Sequence, residues 1–154
     1  ESQATGIEKF QVAQTTMKLY VLSDLHAESA VFRPDAEALR AADVVVLAGD
    51  IHNGEYTPFW AREAFGDKPI ILVAGNHEFY DRHWERCLMD MRTAAGQCGV
   101  HFLENETLTI DGVDFLGATF WTDFELMGAP NKEESIQAAK RFMADYRQIA
   151  RVNG

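Results

Sequence analysis

The sequence is poor in cysteine, in positive charge and in long apolar runs. It has 154 residues with two cysteines, and 14 basic residues stand against 24 acidic ones, which gives a formal net charge of −10. No apolar run approaches the ~20 residues that a membrane-spanning helix needs, so we expect no membrane partner. The acidic balance disfavours non-specific binding to nucleic acid. The length and the 47% hydrophobic content predict one globular domain with its own core.

The two cysteines fit neither a zinc site nor a disulfide. Cys87 and Cys98 fall on one predicted helix, where eleven residues separate them by about 16 Å at ~1.5 Å of rise per residue. A disulfide needs Cα atoms within roughly 7 Å. We therefore interpret both as free thiols and small core residues, which is typical of a reducing compartment and favours the cytoplasm.

The first sixteen residues lack the features of a secretory signal. Residues 1–16 have no basic start and no apolar centre, and Met17 stands directly before the first apolar run. We interpret residues 1–16 as a leader extension and residues 17–154 as the domain.

What the sequence does contain is three short apolar runs, each followed by a polar stretch. Runs of this length, rich in β-branched residues, are typical of buried parallel strands. The carboxyl ends of such strands meet at one edge of a sheet, which is where open α/β sheets bind ligands. The runs are 19–22, 44–48 and 70–74, and the stretches are Ser23-Asp24-Leu25-His26, Gly49-Asp50 and Gly75-Asn76-His77-Glu78.

The segments between and after these runs predict an α/β fold with a mixed, mostly parallel sheet flanked by helices. The alternation of strands and helices implies right-handed parallel crossovers. An Asp-Gly pair then predicts a two-residue hairpin turn. The predicted helices are 35–42, 57–65, 81–98 and 132–152; the further strands are 100–103, 107–110 and 113–117.

Together the three polar stretches resemble the motifs of the calcineurin-like metallophosphoesterases. That family carries Asp-x-His, Gly-Asp and Gly-Asn-His-(Asp/Glu), each behind a strand and in this order. The matches here are Asp24-Leu25-His26, Gly49-Asp50 and Gly75-Asn76-His77-Glu78. The resemblance implies that the fold corresponds to the amino-terminal half of that family's β-sandwich with its α layers.

The resemblance also implies a dinuclear metal centre and a role for each residue. Asp24 and His26 would bind one divalent ion, Asp50 would bridge both ions, and Asn76 would bind the other. The ions would be Mn, Fe, Zn or similar, ~3.5–4 Å apart, and would activate a water for attack on a phosphate mono- or diester. His77 would be catalytic and would protonate the leaving oxygen.

Two departures from the family pattern bear on the function. Gly49-Asp50 continues as Ile51-His52-Asn53, so the second Asp of the phosphoprotein phosphatase motif is replaced by Asn53. This favours a small-molecule or nucleotide substrate over a phosphoprotein, and it leaves the partner of His77 open. The family's later histidine motifs are not matched, because no histidine follows His101. By this criterion the domain lacks its carboxy-terminal part.

The missing histidines keep two functional hypotheses open. His52 could replace a lost ligand, although we interpret it as a neighbour of the ligands or a solvent-facing group. His83 is predicted in the first turn of a helix, and His101 at the opposite sheet edge, where a structural role is favoured. The first hypothesis is a phosphoesterase. The second is a non-catalytic or incomplete metal-binding half-domain, which a second copy or another chain would complete through an open sheet edge.

Overall fold

The computed structural model describes residues 16–150, and the predicted α/β class is confirmed. Four strands form a parallel sheet in the order β1-β2-β3-β5, and two smaller pairs, antiparallel β6-β7 and parallel β4-β8, lie outside it. The strands are β1 Leu19–Leu22, β2 Val44–Ala48, β3 Ile70–Val73, β4 Arg82–His83, β5 His101–Phe102, β6 Glu106–Ile110, β7 Val113–Gly117 and β8 Ile149–Ala150.

The helices follow the strands in the predicted alternation. Short 3₁₀ turns occur at His77–Phe79 and Ala129–Asn131. The α-helices are α1 Ala36–Ala41, α2 Tyr56–Phe65, α3 Trp84–Cys98, α4 Lys132–Phe142 and α5 Asp145–Gln148. None of the helices between residues 16 and 150 is long and apolar enough to cross a membrane.

Both faces of the parallel sheet are covered at β2 and β3, which explains why these strands are apolar along their whole length. Alternate residues of a strand point to opposite faces. Val45 and Leu47 of β2 belong to the main core, which includes residues of α2 and α3, whereas Val44 and Val46 belong to a smaller cluster on the other face. Partly buried residues of the β6-β7 hairpin complete that second cluster.

Local capping signals explain where α1 and α3 begin and end. Asp35 caps α1, since its Oδ1 accepts hydrogen bonds from the backbone of Glu37 at 3.0 Å and of Ala38 at 2.7 Å. Gly99 ends α3 with φ +67°, a left-handed value that glycine adopts readily. The predicted start of α3 at Asp81 is three residues early, because Arg82–His83 form β4.

The prediction of one helix over 132–152 is wrong. Helix α4 ends at Phe142, because Met143 is extended with φ −89° and ψ 135°. The segment then forms the short α5 and pairs β8 with β4, and the Asp81 N–H donates to the Gln148 carbonyl at 2.8 Å. Ile149 packs on the main core, so burial and strand pairing replace the helix that the apolar spacing alone predicted. The rest of the predicted helix, past Ala150, lies outside the described residues, as do residues 1–15 of the predicted leader.

Both cysteines lie on α3 and are free, as predicted. Cys87 is buried, and its Sγ donates to the Glu78 carbonyl at 3.2 Å. Burial raises the pKa of the Cys87 thiol to about 12, which makes it unreactive at neutral pH.

Candidate metal centre

The loops after β1 and β2 are held together by backbone hydrogen bonds beyond the end of the sheet. The Asp24 N–H donates to the Gly49 carbonyl at 3.1 Å, and the His26 N–H donates to the Asp50 carbonyl at 3.1 Å. Ala27 extends the same pattern to Ile51 at 2.9 Å. The first motif therefore lies alongside the second, at the carboxyl edge where the sequence predicts the site.

Three of the predicted site residues hold a left-handed backbone. Their φ angles are +53° at Asp24, +45° at His26 and +56° at Asp50, out of seven non-glycine residues with positive φ between residues 16 and 150. Each such residue costs of the order of 1–3 kcal/mol and persists only where its surroundings impose it. Strain of this kind concentrates at ligand-binding sites.

The side chains of Asp24, His26 and Asp50 converge on one point. Each offers one ligand atom, and these atoms all lie within 4.8 Å of one another. Two carboxylates and an imidazole are a donor set that suits divalent first-row metals. Close approach is possible because residue 75 is glycine: a Cβ there would lie 2.2 Å from Asp50 Oδ1. The residues therefore fit a divalent ion.

A second group on the same edge contains a carboxylate that sequence reasoning missed. Glu28 Oε1 lies 3.6 Å from His26 Nδ1 and 3.9 Å from His77 Nδ1. The two imidazole rings meet edge to face with centroids 4.3 Å apart. Glu28 follows the first motif by two residues but belongs to no family pattern. The amino-acid sequence therefore carried no signal for this contact.

His77 lies beside the ligand group while remaining accessible. Its backbone N–H donates to Asp50 Oδ1 at 2.9 Å, and its ring stacks on Tyr80 with centroids 4.3 Å apart. The side chain keeps 32% of its surface exposed. An imidazole in this position can contact both a bound ester and solvent.

Asn76 is placed differently from the other predicted ligands. Its Nδ2 donates to Asp145 Oδ1 at 2.6 Å and to the Tyr80 hydroxyl at 3.1 Å. Asp145 is buried, and it lies 69 residues further along the chain. Burial, with the Asp145 carboxylate adding to it, raises the pKa of the Tyr80 phenol. Tyr80 and Asp145 are further residues that sequence reasoning missed.

Glu78, the last residue of the third motif, ties the second and third loops together. It is fully buried, and its carboxylate accepts hydrogen bonds from the backbone N–H groups of Asp50 at 3.0 Å, Ile51 at 2.8 Å and Gly75 at 2.8 Å. Burial raises the pKa of Glu78, and these three N–H groups oppose the rise. The motif marked this position, but only the structure shows the contacts.

The remaining histidines lie outside both ligand groups found among residues 16–150. His52 Nδ1 accepts the Asn53 N–H at 2.7 Å, and its ring contacts Trp60 with centroids 6.5 Å apart. Burial lowers the pKa of His52, against the opposing effect of Glu28. His83 and His101 are exposed on β4 and β5.

A scan against protein-family models matches residues 17–146 to the calcineurin-like phosphoesterase superfamily domain, more than four fifths of the chain. The protein belongs to the calcineurin-like phosphoesterase superfamily. None of the curated proteins searched matches this chain. Membership assigns the protein to a superfamily of metal-dependent phosphoesterases, and the parallel sheet with flanking helices agrees with it. The ligand groups described above lie inside the matched residues.

Proposed function

We propose that this protein hydrolyses a phosphate mono- or diester with the help of two divalent ions. The observation that carries the proposal is the convergence of Asp24, His26 and Asp50 at the ends of β1 and β2 in a chain of this superfamily. Asp24 and His26 would hold one ion, Asp50 would contact both, and Asn76 would hold the second. Mn, Fe and Zn all suit such a set of oxygen and nitrogen donors.

The protein's own residues would orient the ester and move one proton. When bound, the ions would neutralise the phosphoryl oxygens and lower the pKa of a water between them. His77 would protonate the leaving oxygen, since histidine is the commonest general acid in proteins and this ring lies beside the ligand group. Glu28 would orient the ring through its Nδ1, a carboxylate–imidazole contact that the sequence could not supply.

A small phosphoester or a nucleotide is the substrate class we favour, rather than a phosphoprotein. The support is Asn53, which stands where phosphoprotein phosphatases of this family carry a second Asp. The two free cysteines favour a reducing compartment, and we propose the cytoplasm.

The test compares two aspartates at opposite ends of the same strand. Asp50→Asn removes the shared ligand, whereas Asp43→Asn removes a carboxylate that accepts the Lys18 N–H at 2.8 Å at the other end of β2. With Mn²⁺ present, kcat/KM for p-nitrophenyl phosphate or its diester should fall about a thousand-fold in Asp50→Asn, the several kcal/mol that metal ions contribute. Asp43→Asn should stay near wild type. Equal rates in wild type and Asp50→Asn would contradict the proposal.

A metal-binding half-domain is the second candidate function, and the small number of ligands at the second metal position favours it. Among residues 16–150, Asp50 belongs to a single ligand group, with Asp24 and His26, so no histidine is grouped with Asp50 and Asn76 for a second ion. This candidate predicts one ion or none per chain, whereas the enzyme predicts two. Metal analysis decides between them, and light scattering showing a monomer would count against completion by a second copy.

A further inference from the structure

Asp145 is a buried carboxylate that the proposed reaction does not use. It keeps 6% of its surface exposed, and its Oδ1 accepts from Asn76 Nδ2 at 2.6 Å. The Tyr80 hydroxyl lies 3.4 Å from the same oxygen. A buried carboxylate is costly unless its oxygens are hydrogen-bonded. The Asn76 amide is therefore the hydrogen-bond partner that compensates for the burial of the Asp145 carboxylate.

The hydrogen bonds fix which end of the Asn76 amide faces which way. A carboxamide nitrogen carries two N–H donors, and here both have acceptors, Asp145 Oδ1 and the Tyr80 hydroxyl. A flipped amide would place its oxygen 2.6 Å from a carboxylate oxygen, with no proton between them. The nitrogen must then face Asp145, and the amide oxygen points away from it.

The backbone around Asp145 is anchored to the segment that follows the third motif. Strand β8 pairs with β4, with Arg82 opposite Ile149 and His83 opposite Ala150. The Asp81 N–H also donates to the Gln148 carbonyl at 2.8 Å. Pairing between distant segments therefore places Asp145 beside Asn76, whereas the motif residues follow the ends of the sheet strands.

We propose that Asp145, with Tyr80, is a positioning residue that turns the Asn76 oxygen toward the second metal position. The proposal rests on the proposed function, since it concerns the same metal centre. Hydrogen bonds behind a metal ligand set its orientation, and their loss typically costs 10–100-fold in metal affinity. Asp145 orients the ligand and does not itself contact the ion.

The first experiment measures metal affinity directly. Asp145→Leu removes the acceptor while keeping the branching and the number of side-chain heavy atoms, and Glu134→Gln on the exposed surface of α4 is the control. Mn²⁺ titration is monitored by calorimetry or electron paramagnetic resonance. The Kd of the tighter ion, assigned to the position with Asp24 and His26, should be unchanged, and the Kd of the weaker ion, assigned to the position with Asn76, should rise about 10–100-fold. Unchanged affinity for both ions in a folded Asp145→Leu would overturn the positioning role.

The second experiment needs no metal. The Asn76 side-chain NH₂ resonances, assigned by their loss in Asn76→Asp, should shift in Asp145→Leu and in Tyr80→Phe but not in Glu134→Gln. Tyr80→Phe keeps the ring stacked on His77, so it provides the test if Asp145→Leu does not fold. Resonances that Asp145→Leu and Tyr80→Phe leave unmoved would overturn the proposal. A wild-type chain that binds no ion pair and hydrolyses no ester would instead overturn the proposed function.

Discussion

The two metal positions proposed for this site would be built in different ways. The first position, formed by Asp24, His26 and Asp50, lies on two loops that backbone hydrogen bonds hold side by side. The proposed second position would use Asp50 and Asn76, and the Asn76 side chain is held by a carboxylate 69 residues further along the chain. A motif residue can therefore be in place while its orientation is controlled from elsewhere. The first position should tolerate changes in the 143–150 segment that the second does not.

Loss of the Glu78 carboxylate should affect both positions at once and have the largest effect. In Glu78→Ala three backbone N–H groups lose their acceptor. Each buried unpaired donor costs about 1–3 kcal/mol, so the free energy of unfolding should fall by about 3 kcal/mol. Urea unfolding measures this. Glu63→Ala on the exposed side of α2 is the control and should change stability by less than about 0.5 kcal/mol. A stable Glu78→Ala variant that loses only one of the two ions would contradict this prediction.

Replacing Glu28 should weaken the first position alone. Glu28→Gln keeps the shape of the side chain but removes the charge that faces His26 and His77. We expect the affinity for the tighter ion to fall about tenfold, the lower end of the range for a partner behind a metal ligand. Mn²⁺ titration checks this, with Glu37→Gln on α1 as the exposed control. An equal loss at both positions would show that the two are not independent.

Cys87 should affect neither position. With its pKa raised to about 12 by burial, the Cys87 thiol stays protonated at pH 8. In a Cys98→Ser background, a thiol reagent should therefore leave Cys87 unmodified in the native protein and should modify it in denaturant. The result should be the same with and without metal, because Cys87 is packed in the main core and its Sγ donates to the backbone carbonyl of Glu78, not to a proposed ligand. Rapid modification of Cys87 in the native protein would contradict the burial of its side chain.

The parallel sheet could be predicted from sequence because its signals are local. An apolar run such as 44–48 packs on both faces, and the Gly49-Asp50 stretch that follows it ends the strand. The last helix could not be predicted in the same way. Its apolar spacing is helical, but the pairing of Ile149 with Arg82 is a contact between distant segments.

The same division runs through the candidate site. The motifs placed Asp24, His26, Asp50, Asn76 and His77 at one sheet edge, and the structure brings these residues there. Their metal-binding and catalytic roles stay predictions. Glu28 and Asp145 had no motif to mark them, because a single acidic residue in a loop or helix is indistinguishable in sequence from a surface charge.

By itself the sequence determined the three strands that carry the motifs, their common carboxyl edge and the superfamily, because these depend on short-range patterns and on residue order. Only the tertiary structure decided which carboxylate faces His77 and which group turns the Asn76 amide. The physical reason is that a hydrogen bond of 2.6 Å between Asn76 and Asp145 needs two segments to be packed together, and strand pairing between β4 and β8 does this.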